Sequence, residues 1–131
     1  MKVAVDTNVL VRAVVLDDPV QADVATKVLT DAELIAVAMP SLCEFVWVLL
    51  RVYDFQPSDV AAAIRALLAV ANVEVNRPAV EAGLSVLEAG GDFADGVIAY
   101  EGSWLGGGTF ISFDEKAVAL LAGQGSSTRL L

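Results

Sequence analysis

Short apolar runs that stop on an acid and turn straight into a helical pattern restrict the fold of this chain more than any other feature. The first is Met1-Lys2-Val3-Ala4-Val5-Asp6-Thr7-Asn8-Val9. Val3 to Val5 have the β-branched character and brevity of a buried strand, and helical periodicity starts at Val9. Thr109 to Asp114 repeats the arrangement, with a helix expected from Glu115 to about Leu121. Leu34 to Val37 and Asn72 to Val75 are two further β-like runs, and the tail Gly123 to Leu131 is expected to supply a final edge strand. Between them lie helical segments: Val9 to Val15, Pro19 to about Thr30, Leu42 to about Tyr53, Pro57-Ser58-Asp59 to about Ala71, Arg77-Pro78 to Ala89, and Phe93 to about Trp104. This alternation implies an α/β fold, a central, mostly parallel sheet flanked by helices on both faces. At 131 residues, with no linker, repeat or low-complexity tract, the chain reads as a single domain over 1–131.

In open α/β sheets, ligands bind outside the carboxyl ends of the strands. Asp6 and Asp114 both leave a strand at that edge, so each is either a helix N-cap or the floor of a site. Glu44 is the only charge of the Leu42–Tyr53 helix before Arg51, among Cys43, Phe45, Val46, Trp47, Val48, Leu49 and Leu50. A helix apolar nearly all round is expected to be buried, and a buried carboxylate needs a partner. A free N–H near Ser41, Arg51 two turns along, or a metal ion would each serve. Gly90-Gly91-Asp92-Phe93-Ala94-Asp95 stops one helix and starts the next. Asp92 is placed to cap the new helix, whereas Asp95 shares its side with Ile98 and Ala99 and is expected along the seam between helix and sheet. Asp17, Asp18 and Asp23 read as solvated surface near a helix start. Gly106-Gly107-Gly108 precedes a strand and lacks the ending of a phosphate loop, so it reads as a plain turn.

Composition narrows the chemistry. There is no histidine, which removes His-ligated zinc, imidazole bases and serine–histidine triads together. The one cysteine, Cys43, excludes an internal disulfide, fits a reducing compartment and reads as a small buried hydrophobe. No apolar run approaches the roughly 20 residues of a membrane span, and Asp6 interrupts the first run too early for a signal peptide; a cytoplasmic location is expected. A formal charge of −9 with only 8 scattered basic residues opposes nucleic-acid binding by bulk electrostatics. A nucleic-acid substrate then requires a divalent cation in the acidic site, or a dimer that pools its arginines.

The expected topology brings Asp6, Glu44, Asp95 and Asp114 into one crevice. Four carboxylates repel and raise one another's pKa unless a cation joins them, and oxygen-only ligation suits Mg²⁺ or Mn²⁺. Such an ion binds a phosphodiester oxygen, lowers the pKa of a bound water and stabilises the departing oxygen. Phosphodiester hydrolysis without histidine is the natural inference.

Four motifs in order then resemble the PIN-domain family, and within it the VapC-type toxins of toxin–antitoxin pairs: Val5-Asp6-Thr7-Asn8-Val9-Leu10, Pro40-Ser41-Leu42-Cys43-Glu44, Asp92-Phe93-Ala94-Asp95-Gly96-Val97-Ile98-Ala99 and Ile111-Ser112-Phe113-Asp114. The resemblance implies that Asp6, Glu44, Asp95 and Asp114 are the catalytic, metal-binding acids, with Asp92 an additional contributor. It also implies that Asn8 and Ser112, with Thr7 beside them, support the acids or the attacking water. It further implies a Mg²⁺- or Mn²⁺-dependent ribonuclease, commonly a homodimer, that cuts tRNA or rRNA and is held inactive by a cognate antitoxin protein. Two departures stand out. Ser112 replaces a more usual threonine and keeps the hydroxyl; Gly96 replaces a more usual alanine inside a helix, at a propensity cost of about 1 kcal/mol.

Two readings from other classes compete with this one. A non-catalytic PIN-like module could hold a basic protein partner through the acidic crevice; it would bind in chelator and cut no RNA. A phosphoacceptor receiver domain also places acids at strand ends, but it wants paired acids on the first strand and a lysine after a late one, which Asp6-Thr7 and Phe113-Asp114-Glu115-Lys116 supply poorly.

Overall fold

The computed structural model describes residues 1–131 and contains seven helices and five strands, all paired in parallel. The α/β class read from the sequence is the class observed. By its contacts the chain divides into two compact units, Met1–Asn76 and Arg77–Leu131.

The first unit runs β1 (Lys2–Ala4), α1 (Thr7–Val14), α2 (Pro19–Asp31), β2 (Leu34–Ala36), α3 (Met39–Arg51), α4 (Pro57–Leu68) and β3 (Val73–Glu74). Its sheet has the order β1-β2-β3, with Val3 opposite Ile35 and Ile35 opposite Val73. Prolines at the first turns of α2, α3 and α4 fix the helix starts, where a missing N–H costs nothing. Ile35, Leu42, Phe45, Leu49, Val60 and Ile64 are almost wholly buried. Each such side chain contributes about 1.5–3 kcal/mol of transfer free energy.

The expectation of a fully buried α3 is corrected here. Leu42, Phe45, Val46 and Leu49 form its inner face, but Trp47 is 57% exposed, and Glu44 and Arg51 are exposed with it. Glu44, Trp47 and Arg51 follow at intervals of three and four, so one outward stripe collects them. Its apolar composition hides an ordinary two-faced helix because the outer stripe includes a tryptophan. Glu44 therefore stands at the surface and needs no buried partner.

The second unit runs α5 (Arg77–Glu88), α6 (Phe93–Trp104), β4 (Thr109–Ser112), α7 (Glu115–Gly123) and β5 (Ser127–Leu130). Strands β4 and β5 pair with Thr109 opposite Ser127 and Ser112 opposite Leu130, so the tail forms the strand expected of it. Helix α5 stops where foreseen: Gly90 takes φ 96°, a left-handed value glycine adopts freely, and the Gly91 N–H donates to the Val86 carbonyl at 2.8 Å. Helices α5 and α6 pack at close range. The Phe93 ring fills the space beside Gly83, where a Cβ would lie 2.6 Å from it.

Candidate functional site

Of the two roles open to the strand-end acids, the structure shows that of helix N-cap, and Asp92 shares it. Asp6 caps α1 by accepting from the Asn8 N–H at 2.8 Å. Asp92 caps α6 by accepting from the Ala94 N–H at 3.0 Å. Asp114 caps α7 and accepts from two N–H groups, those of Lys116 at 3.0 Å and Ala117 at 3.1 Å. In all three the capping bonds fall on Oδ1. A carboxylate has lone pairs on both oxygens, so each cap holds its side chain in one orientation and leaves Oδ2 for another partner.

Asp95 is the exception, because it caps nothing and sits half-buried in the first turn of α6, with α6 lying against β4. Its carboxyl is pushed above the ordinary range, first by burial and then by the charges of Asp92 and Asp114. The second unit thus brings three of the sequence-selected acids into electrostatic reach of one another. Ile98, expected to share the apolar face of α6, is instead 56% exposed; Phe93, Gly96 and Val97 carry the buried face.

Asp6 and Glu44 belong to the first unit. The hydroxyl of buried Thr7, the residue after Asp6, donates to the Ser41 carbonyl at 3.4 Å. That contact ties the start of α1 to the first turn of α3, from which Glu44 projects one turn further on. Asn8 is exposed and serves Asp6 through its main chain. Ser112 supports Asp114 similarly, its Oγ accepting from the Asp114 N–H at 2.9 Å. Within either unit, no three acids are grouped closely enough to hold a metal ion by themselves.

Sequence reasoning missed one polar cluster. Arg12 Nη1 donates to Asp17 Oδ1 at 2.7 Å, and the Tyr53 hydroxyl donates to Asp17 Oδ2 at 3.2 Å. The cluster fastens the α1–α2 turn to the residues just past α3. A separation of 36 residues between Asp17 and Tyr53 leaves no local signal for it.

A family model for the PIN domain matches residues 3–120, which is most of the chain and includes every acid discussed above. The chain belongs to the PIN-domain family, a family of nucleases that are often metal-dependent. No curated protein matches it. No helix is long and apolar enough to cross a membrane.

Proposed function

We propose that this chain is a single-domain, divalent-metal-dependent endoribonuclease, the toxin of a toxin–antitoxin pair, that hydrolyses phosphodiester bonds of tRNA or rRNA in the cytoplasm. The observation that carries the reading is the half-buried Asp95 carboxyl, pushed up first by its burial and then by the charges of Asp92 and Asp114. Converging like charges in a partly desolvated place destabilise the fold unless a cation offsets them. An all-oxygen donor set fits a hard ion, Mg²⁺ or Mn²⁺. Asp6, Glu44, Asp95 and Asp114 are the residues assigned to hold it, with Asp92 as a further ligand and Thr7, Asn8 and Ser112 as supports. When bound, such an ion supplies Lewis-acid polarisation and a strong nucleophile at neutral pH.

The chain's own residues do the positioning. The caps on Asp6, Asp92 and Asp114 fix three carboxylates before any ion arrives, which limits the ordering cost of binding. With a net charge of −9 the free protein repels RNA, so the ion also provides the attraction the basic residues cannot. The same charge invites a basic antitoxin segment. Exposed Val20, Val24, Trp47 and Leu105 give apolar surface for a homodimer or for that antitoxin.

The test is incubation of total cellular RNA with the purified protein in Mn²⁺, Mg²⁺ or EDTA, beside Asp95→Asn. A discrete cut that requires metal and vanishes in the variant is expected. Identical lanes for wild type and variant would transfer the reading to a partner-binding module.

A further inference from the structure

A cavity of about 340 Å³ opens in the second unit between α5, α6 and the end of α7. This is near the lower end of the range for small-molecule sites, roughly 300–1,000 Å³. Gly96, Ala99, Tyr100 and Ser103 line it from α6 at the intervals of one helical face. Small side chains on both helices, Ala99 of α6 and Ala82 of α5, line the space where larger ones would narrow it. No charged side chain contributes to the lining. In a chain this acidic, a pocket with hydroxyls, an amide and one aromatic ring but no cation favours a neutral partner over a phosphate.

Its polar groups suit a flat heterocycle. Ser85, Ser103, Ser126 and the Tyr100 hydroxyl can each donate or accept, and Gln124 offers both functions on one amide. That amide is already oriented, since its Nε2 donates to the Ser85 carbonyl at 3.2 Å. The Tyr100 ring is steadied by an edge-on contact with Trp104, centroids 6.5 Å apart. Aromatic walls with a few adaptable hydrogen-bonding groups are how proteins read unstacked bases.

We propose that this cavity receives one unpaired base of the RNA strand and reads its hydrogen-bonding edge. The inference rests on the ribonuclease reading and adds a specificity pocket to it. Asp95 immediately precedes Gly96, and about 7.5 Å of helix rise separates it from Tyr100. A base held there belongs to a nucleotide close to the bond that the Asp95 site addresses.

Trp104 supplies the readout. In Trp47→Phe it is the sole tryptophan, and its fluorescence follows occupancy through the Tyr100 ring. The probes, all in EDTA, are the four ribonucleosides, single-stranded RNA tetramers of each base, and inorganic phosphate. At least one nucleoside is expected to give a saturable change, and its tetramer to give the same change in about 0.5 M salt, which screens the repulsion between the acidic chain and the RNA backbone. Phosphate is expected to give none. Ala99→Leu fills the space and is expected to weaken both ligands about tenfold or more; Ser103→Ala with Ser126→Ala, which disturbs no packing, is expected to act in the same direction through lost hydrogen bonds. Absence of saturation with every nucleoside overturns the pocket. A tetramer that gives no change where its nucleoside saturates overturns the RNA strand as source and leaves a free nucleoside as the ligand. Because binding is read without metal, failure to cut RNA would fall on the nuclease reading and leave this outcome standing.

Discussion

Gly96 of α6 lies directly against the Ala82 carbonyl of α5, and a Cβ at this position would overlap the carbonyl oxygen and stand 2.9 Å from the carbonyl carbon. The glycine that looks like a flaw in the helix is what lets the two helices approach. Alanine would gain about 1 kcal/mol of helix propensity, but overpacking against a backbone atom costs about 1–3 kcal/mol or more. The steric term wins because the obstacle is main chain and cannot rotate away. Gly96→Ala is therefore expected to lower the urea midpoint at unchanged m; a midpoint equal to or above wild type would refute the close crossing.

Asp95 makes the fold's stability depend on pH with a defined sign. Its pKa is raised in the folded state, so the folded protein holds the proton more tightly than the unfolded chain does. The stabilising contribution is then present at low pH and is lost as the pH rises through the folded-state value. Asp95→Asn removes both the desolvated charge and its repulsion with Asp92 and Asp114. Without metal, the variant is expected to melt above wild type at pH 7, and the gap to close as the pH falls below the ordinary carboxylate range. Under the proposed function, Mn²⁺ adds the opposite effect, raising the melting temperature of wild type far more than that of the variant. Thermal melts over pH 3–8 with and without Mn²⁺ check both.

The Arg12–Asp17–Tyr53 cluster holds the turn between α1 and α2, and its members are too exposed for the ion pair alone to matter greatly. What the cluster adds is a long-range tie on a surface turn. Tyr53→Phe is expected to leave global melting almost unchanged while speeding amide exchange and proteolytic nicking around Leu16 to Asp18. Exchange in that turn identical to wild type would show that the Arg12–Asp17 bond holds it without the tyrosine.

The legible part of this structure was its local part. Strands that end on acids, prolines at helix starts and glycines at the end of α5 each carry their cause within a few residues, and the elements fall close to where those signals put them. The outward position of Glu44 was less legible, because Trp47 counts as apolar in any pattern yet lies on the exposed side of α3. Helix α6 misled in the same way: Ile98 is exposed, and the close-packed face is marked by Gly96, a residue without hydrophobic signal. Small residues declare proximity only once their neighbour is known. The Arg12–Asp17–Tyr53 cluster and the Tyr100 cavity join segments far apart in sequence, and no periodicity announces either.

Asp114 separates structural work from chemical work. Its Oδ1 accepts from two main-chain N–H groups, so removing the side chain leaves two helix-start donors without their partner. Asp114→Ala is expected to cost about 1–2 kcal/mol, as loss of a good cap does. Asparagine caps about as well as aspartate, and its amide oxygen can take the place of Oδ1. Asp114→Asn is thus expected to retain nearly all the stability while giving up the negative charge that the proposed ion requires. Its cleavage of RNA should fall at least about a hundredfold, the scale on which loss of a group that holds or orients a catalytic metal is felt. The two substitutions, compared by denaturant titration and by RNA cleavage in Mn²⁺, dissociate the roles: alanine should lose both, asparagine only the second. An asparagine variant that cuts at the wild-type rate would leave Asp114 as a helix cap and nothing more.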